Sequence, residues 1–324
     1  MVTAGMMLSM GVVNAYAAPI AIKVSVSGTS DFVYSKAMRE VFKPIVEKET
    51  GGKYRVDIYD NLKFGNYEIC LQGVQHGTLH ICQEAASNFS TLLPELGVLD
   101  LPFLVKHPSQ FNQLIDGPAV SKLLQGFNKY GIECIARNHL GPRSIFSRKK
   151  VTTLEDFKHF KMRSSASQIE IKTLQAEGMN PTPVPWTETY SALQQGIVDG
   201  TNGDLMQSAE MQFDTVAPTI FQVGHAMICH LFLANKEWWD NLGADKPIFE
   251  KATAEMQNYI RANIDQYYAD AVKTMQARGT SYIEPSDEEI SKWQEATKDV
   301  YKDFTDTIPE ELVMALRAEA ANIK

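Results

Sequence analysis

Apolar positions recur along this chain with two periods. The segments IAIKVSV (Ile20–Val26) and YRVDIY (Tyr54–Tyr59) alternate in steps of two with β-branched residues, which predicts strands. Between them, residues 34–50 place Ala37, Met38, Val41, Ile45 and Val46 on one helical face, and Gly51-Gly52 stops that helix. A helix over residues 67–76, an apolar run over 79–82, a loop over 83–89 and a two-proline, loop-like stretch over 93–103 follow. Helices at 108–116 and 118–130 then lead to a strand at 132–137. Alternating β and α of this kind predicts a mostly parallel sheet covered by helices.

A second α/β unit repeats the pattern: strand 144–149, short helix 154–157, strand 161–163, helix 168–176, strand 182–184, and helix 187–195 stopped by Gly196. Residues 224–234, GHAMICHLFLA, read as a buried strand that returns to the first unit. Then Phe249, Ala252, Met256, Tyr259, Ile260, Ile264, Tyr267, Ala271 and Met275 recur every three or four positions. They predict one helix over residues 246–278, roughly 50 Å long at 1.5 Å per residue, long enough to span both units. A strand at 281–283, a helix over 286–305 begun by the Ser286-Asp287-Glu288-Glu289 cap, and a helix over 309–322 close the chain. The expected fold is α/β with two domains: residues 18–140 with 229–265, and residues 141–228 with 266–300, followed by a helical tail over 301–324.

Composition adds limits. The 324 residues are 44% hydrophobic, enough for two buried cores. Thirty-one basic residues face 39 acidic ones, a net charge of −8, which leaves no basic footprint for nucleic acid. Residues 1–17 are apolar and end in Ala15-Tyr16-Ala17, a small-x-small pattern that predicts a cleaved signal peptide and export. That apolar run is shorter than the roughly 20 residues a membrane-spanning helix needs. The exported chain is therefore expected to be soluble, without membrane insertion, and monomeric.

Candidate chemistry is sparse. Cys70, Cys82, Cys134 and Cys229 show no CxxC or metal spacing and read as buried free thiols. His76 and His80 lie four apart, but the segment around His80 reads as a strand, so no metal site and no cofactor are expected. Nucleophile-elbow, zincin, Walker and dinucleotide motifs are all missing from the sequence, which counts against an enzyme. Arg143 and Arg163 instead stand at strand-loop junctions, where open α/β sheets bind small ligands. A single arginine is usually a solvated surface charge. Arg163, however, leads into Ser164-Ser165-Ala166-Ser167, whose hydroxyls suit an anion, and an arginine fork gives a carboxylate two parallel charge-assisted bonds. Trp186, just ahead of a helix, fits core filling and an apolar wall beside an anion equally well.

Several longer motifs coincide. Lys161-Met162-Arg163, the run G-x-x-P-x-P-V-P-W-T-E-x-Y-x-A-L-Q-x-G-x-x-D-G over residues 178–200, TGG at 50–52 and LDLPFL at 99–104 together resemble the DctP-type substrate-binding proteins of TRAP transporters. The resemblance covers nearly all of the chain beyond residue 17. It implies a periplasmic receptor whose two α/β domains close on a small organic acid, a carboxylate or a sulfonate, and deliver it to sodium-driven TRAP permease subunits. By the same resemblance Arg163 pairs with the ligand anion, Arg143 assists and Trp186 borders the ligand. Gln83, Glu84, Asn66 and the loop from Ser27 to Phe32 contribute from the first domain. Where the family pattern reads D-G-Q-E-N-P, this chain reads Asp199-Gly200-Thr201-Asn202-Gly203-Asp204, so Gly203 occupies the asparagine position. Asn202 or Asp204 is then expected to take the polar role, unless the pocket is reshaped for another acid. Two other readings stand beside transport: an exported enzyme using Glu84 or His139 as base, and a ligand sensor for a membrane kinase.

Overall fold

The computed structural model describes residues 18–105 and 108–323; the expected signal peptide lies outside them. Eleven strands among these residues form two sheets. The first contains β1 (Ile20–Val26), β2 (Tyr54–Tyr59), β3 (Ile81–Ala85), β4 (Ile132–Pro142) and, later in the chain, β10 (Met227–Asn235), in the order β2-β1-β3-β10-β4. The second contains β5 (Ser144–Ser147), β6 (Lys161–Ser164), β7 (Asn180–Pro183), β8 (Gly200–Gly203), β9 (Thr219–Phe221) and β11 (Ser281–Ile283), in the order β11-β9-β5-β8-β6-β7. The long helix Lys246–Ala277 packs against β4 and against the helix Leu205–Glu210, so it belongs to both lobes.

Both sheets are mixed, which corrects the expectation of mostly parallel pairing. β1 runs parallel to β2 and β3, but β10 is antiparallel to β3 and β4, because it returns from the other lobe. In the second sheet β5 is antiparallel to both β8 and β9. Two strands, β8 and β9, were not anticipated; β8 is made of Gly-Thr-Asn-Gly, whose weak strand propensity is overridden by burial of all four residues. The apolar run at 79–82 proves to be only the entry to β3. Gln83 and Glu84 sit inside that strand, held there by Phe232 and Leu231 of fully buried β10, and not in a loop.

The crossings between lobes place the chemistry. Arg143 is the single residue between β4 and β5, and so between the two sheets. Its N–H donates to the Ala226 carbonyl (2.8 Å), and its own carbonyl accepts from Gly224 N–H (3.1 Å), which ties the outgoing crossing to the return path between β9 and β10. Gly224 takes φ 63°, a conformation costly for a residue with a Cβ. The long helix is the third link. Toward the first lobe Arg261 forks onto Asp116 and donates to the Arg137 carbonyl (3.1 Å); beyond the helix's other end Arg278 reaches Asp214 (3.0 Å). Phe249, Met256 and Ile260 are wholly buried on its inner face, and truncating such a residue to Ala typically costs about 2–5 kcal/mol.

The tail is also part of a core: Val313 and Leu316 pack with Phe111, Leu114 and Val120 of the first lobe. The second lobe closes its own core around Phe157, Met162, Leu174, Phe221 and Trp293.

Candidate functional site

A cavity of about 480 Å³ lies between the two sheets. From the first lobe Ser27 at the end of β1, Glu84, Asn88 and His230 line it; from the second come Arg143, Arg163, residues 183–188, Gly203, Asp204 and Gln207.

Arg163 projects from β6, a four-residue strand held between β7 and β8. Its Nε donates to the Val184 carbonyl (2.9 Å), and the guanidinium carbon stands 5.3 Å from the centre of the Trp186 ring. Among the described residues it forms no ion pair. Burial drives its pKa down to about 10, opposed by Glu170 and assisted by neighbouring Arg143. It is still a cation at neutral pH, with the terminal nitrogens of its fork unused.

Arg143 is different. Its Nη2 lies 3.5 Å from Asp100 and its Nη1 3.5 Å from Glu170. Burial alone would lower its pKa, but Glu170 and Asp100 hold it above the ordinary value. Glu170 stays below the usual carboxylate range because Arg143, Arg163 and Ser165 outweigh its burial, while burial lifts Asp100 to about 6. Ser165 gives both its N–H (3.0 Å) and its hydroxyl (2.6 Å) to Glu170, and Ser167 caps the following helix. Of the three hydroxyls expected to serve an anion, that of Ser165 holds the counter-ion of Arg143, that of Ser167 caps the helix, and that of Ser164 is buried without a partner among the described residues.

Two further buried carboxyls line the cavity without an ion-pair partner among the described residues. Glu84 accepts from Asn88 (3.0 Å) and from Ala85 N–H (3.3 Å), and burial still raises it to about 7. Asp204 caps the helix Leu205–Glu210 by accepting from Gln207 N–H (2.7 Å), and burial raises it to about 7 as well. One pole of the cavity is therefore cationic and the rest weakly acidic.

Of the residues anticipated from sequence, the cavity brings together Arg163, Arg143, Trp186, Glu84 and Asn66. Asn66 does so at an exposed rim, where its side chain caps the helix Tyr67–Gln75. Trp186 leans on Phe213, with ring centres 4.8 Å apart, and on the bare backbone of Gly203: a Cβ there would stand 3.1 Å from the indole. Three residues do not line the wall. Phe32 is sunk in the first lobe's core against Tyr34. Gln83 faces away from the cavity and bonds Ser27 and His230, which do line it. Asn202 is fully buried with neither side-chain atom bonded among the described residues, since strand alternation turns it away from the face that Gly203 presents. His139, the alternative base, is also off the wall, and burial pushes it down to about 4. His230 was not anticipated; all nine residues of β10 are buried, so no alternation marks which of them face the cavity.

The four cysteines are free thiols, with Cys134 half-buried and the others buried. Among the described residues no group of His, Cys, Asp and Glu is arranged to hold a metal, and no helix is long and apolar enough to cross a membrane.

Residues 24–307 match the family model described as bacterial extracellular solute-binding protein, family 7. A solute-binding protein of Verminephrobacter eiseniae is 30% identical over 273 residues, covering 84% of this chain and 81% of that one. The C4-dicarboxylate-binding periplasmic protein DctP of Rhodobacter capsulatus is 28% identical over 312 residues, 95% of this chain and 93% of its own. Among solved structures, the sugar acid binding protein DctPAm of Advenella mimigardefordensis in complex with galactonate superposes with a TM-score of 0.90 at 27% identity, covering 94% of this chain and 99% of that one.

Proposed function

The chain belongs to the bacterial extracellular solute-binding protein family 7, the DctP type, and from that premise we propose that it captures a small organic acid by its carboxylate on Arg163, between two lobes that close on it. The observation that carries this reading is the contrast inside one pocket: Arg143 has two carboxylate partners, and Arg163 has none among the described residues. A buried cation with an open fork is an unfinished ion pair, and a ligand carboxylate completes it with two parallel bonds. Bonds already crossing between the lobes, from Gln207 to Ser27 (3.1 Å) and from Thr29 to Glu210 (2.9 Å), lie beside the cavity and favour the closed form in which both lobes touch the ligand.

The relatives bind different acids, a C4-dicarboxylate in one case and a sugar acid in another. The cavity here favours the second kind. A second carboxylate would meet Glu84 and Asp204, whereas hydroxyls would donate to them. The substrate class is therefore a monocarboxylate with a hydroxylated body, with galactonate as the first candidate. Membership of the family supports periplasmic capture and delivery to TRAP permease subunits. Titration calorimetry of galactonate and succinate tests the assignment: galactonate binds and succinate does not, and Arg163→Ala weakens galactonate binding at least a hundredfold, since breaking a buried ion pair costs about 3–5 kcal/mol. Near-normal affinity in that variant rules out the anchor.

A further inference from the structure

Behind the cavity wall runs a chain of hydrogen bonds whose polarity is fixed where it meets Gln83. Ser27 N–H can only donate, and it donates to Gln83 Oε1 (3.1 Å), so the amide oxygen of Gln83 faces Ser27. The Ser27 hydroxyl donates to the same oxygen (3.2 Å) and accepts from Gln207 Nε2 (3.1 Å). The amide nitrogen of Gln83 is then left facing His230 Nδ1, with which it bonds. An amide NH₂ has no lone pair to offer, so Nδ1 must be the acceptor, and a neutral ring that accepts at Nδ1 carries its proton on Nε2. His230 is buried yet lines the cavity, and Nε2 has no partner among the described residues.

From this geometry we infer that His230 is a specificity residue, fixed by the Gln207–Ser27–Gln83 chain as a neutral imidazole that presents Nε2–H to an oxygen acceptor of the ligand. An imidazolium is incompatible with the chain, because both ring nitrogens would be donors and Nδ1 would face the Gln83 amide protons. Burial first, and the nearby Arg143 second, oppose protonation in the same sense and hold the ring's pKa down at about 3. The aromatic ring of Tyr34, 5.4 Å away centre to centre, holds the imidazole in place.

Two consequences follow for recognition. The site reads a second oxygen of the ligand, whether hydroxyl, carbonyl or the far oxygen of the acid group, in addition to the anion on Arg163. It also rejects an ammonium at that point, since a ring with Nδ1 occupied and Nε2 protonated has no acceptor to give. Because Gln207 belongs to the helix following β8 and His230 to the first sheet, the chain spans both lobes. Approach of the lobes around a ligand thus also fixes the donor that the ligand meets.

The inference rests on the reading that an organic acid enters this cavity, but its first test needs no ligand. In the full chain with ¹⁵N-labelled histidine, nuclear magnetic resonance at neutral pH should show His230 as the Nε2–H tautomer, and Gln83→Leu should shift its Nδ1 signal, because that nitrogen loses the amide donor. A Nδ1–H tautomer, a protonated ring, or an unchanged spectrum in Gln83→Leu overturns the proposal. Galactonate is the probe for the second test: its addition should shift the His230 Nε2–H signal, and His230→Phe should weaken it by about tenfold, the worth of one hydrogen bond between the protein and a charged or hydroxyl partner. Galactonate binding that leaves both the signal and the affinity of His230→Phe unchanged overturns it equally. Failure of galactonate to bind the parent protein counts against the proposed acid, and the tautomer alone then decides the role of His230.

Discussion

Arg143 and Arg163 stand in the same wall of the same cavity and are equally hidden from solvent, 6% and 5% exposed. Their surroundings make them opposites. Arg143, at the crossing between the sheets, has Asp100 and Glu170 at 3.5 Å, and the pair of acids raises its pKa. Arg163, on β6, has a carbonyl and an indole for company, and burial lowers its pKa to about 10. One charge is neutralised by the protein at the crossing between the sheets; the other has no ion-pair partner among the described residues. Residue type and burial are the same in both, so the difference lies in the partners alone.

The comparison breaks most visibly in binding. Arg163→Ala should lose at least a hundredfold in galactonate affinity while keeping its fold, because the arginine it removes has no ion-pair partner to strand among the described residues. A smaller loss, about tenfold, is expected from Gly203→Asn. The added Cβ would meet the Trp186 indole at 3.1 Å and push it from its seat beside Arg163, an overpacking effect of about 1–3 kcal/mol. Calorimetric affinity within twofold of the parent protein would show that the indole position is immaterial.

The acidic side of the cavity sharpens the contrast through pH. Glu84 and Asp204 sit near 7 in the folded chain, against ordinary values of 4.5 and 3.8. Their folded pKa values are raised, so their protonated forms add stability that is full below the unfolded values and is lost as pH rises through about 7. The unliganded melting temperature should therefore contain a component that falls between about pH 5 and pH 8, and Glu84→Gln should flatten it. An identical slope in that variant would remove Glu84 from the account. Least of all, Asn66→Ala should cost about 1 kcal/mol through loss of its cap on Tyr67–Gln75, seen in denaturant unfolding, with little change in galactonate affinity.

What was legible in the sequence depended on whether periodicity or partnership decided it. The long helix was readable because nine apolar residues kept a strict helical period, and it spans 246–277 as expected to within one residue. β8 was unreadable because Gly-Thr-Asn-Gly has weak strand propensity and is held by β5 and β6 on either side. Both arginines were named from sequence, but nothing local distinguishes them: the acids that neutralise Arg143 are 43 and 27 residues away, at Asp100 and Glu170. Asn202 and Asp204 were both open as substitutes for the asparagine missing at Gly203. Period-two alternation turns Asn202 away from the cavity, and Asp204, one residue past the strand, lines the wall instead. His230 was hidden for the reverse reason, in a strand so uniformly buried that no face stands out.

The division of labour between the arginines is tested most directly without any ligand, by comparing the melting of Arg143→Met and Arg163→Met with the parent protein. Arg143→Met leaves Asp100 and Glu170 buried without their ion-pair partner and should lose about 3–5 kcal/mol of stability, whereas Arg163→Met removes a buried charge that has no ion-pair partner among the described residues and should melt at or above the parent temperature. Equal losses in the two variants, or a greater loss in Arg163→Met, would contradict the account.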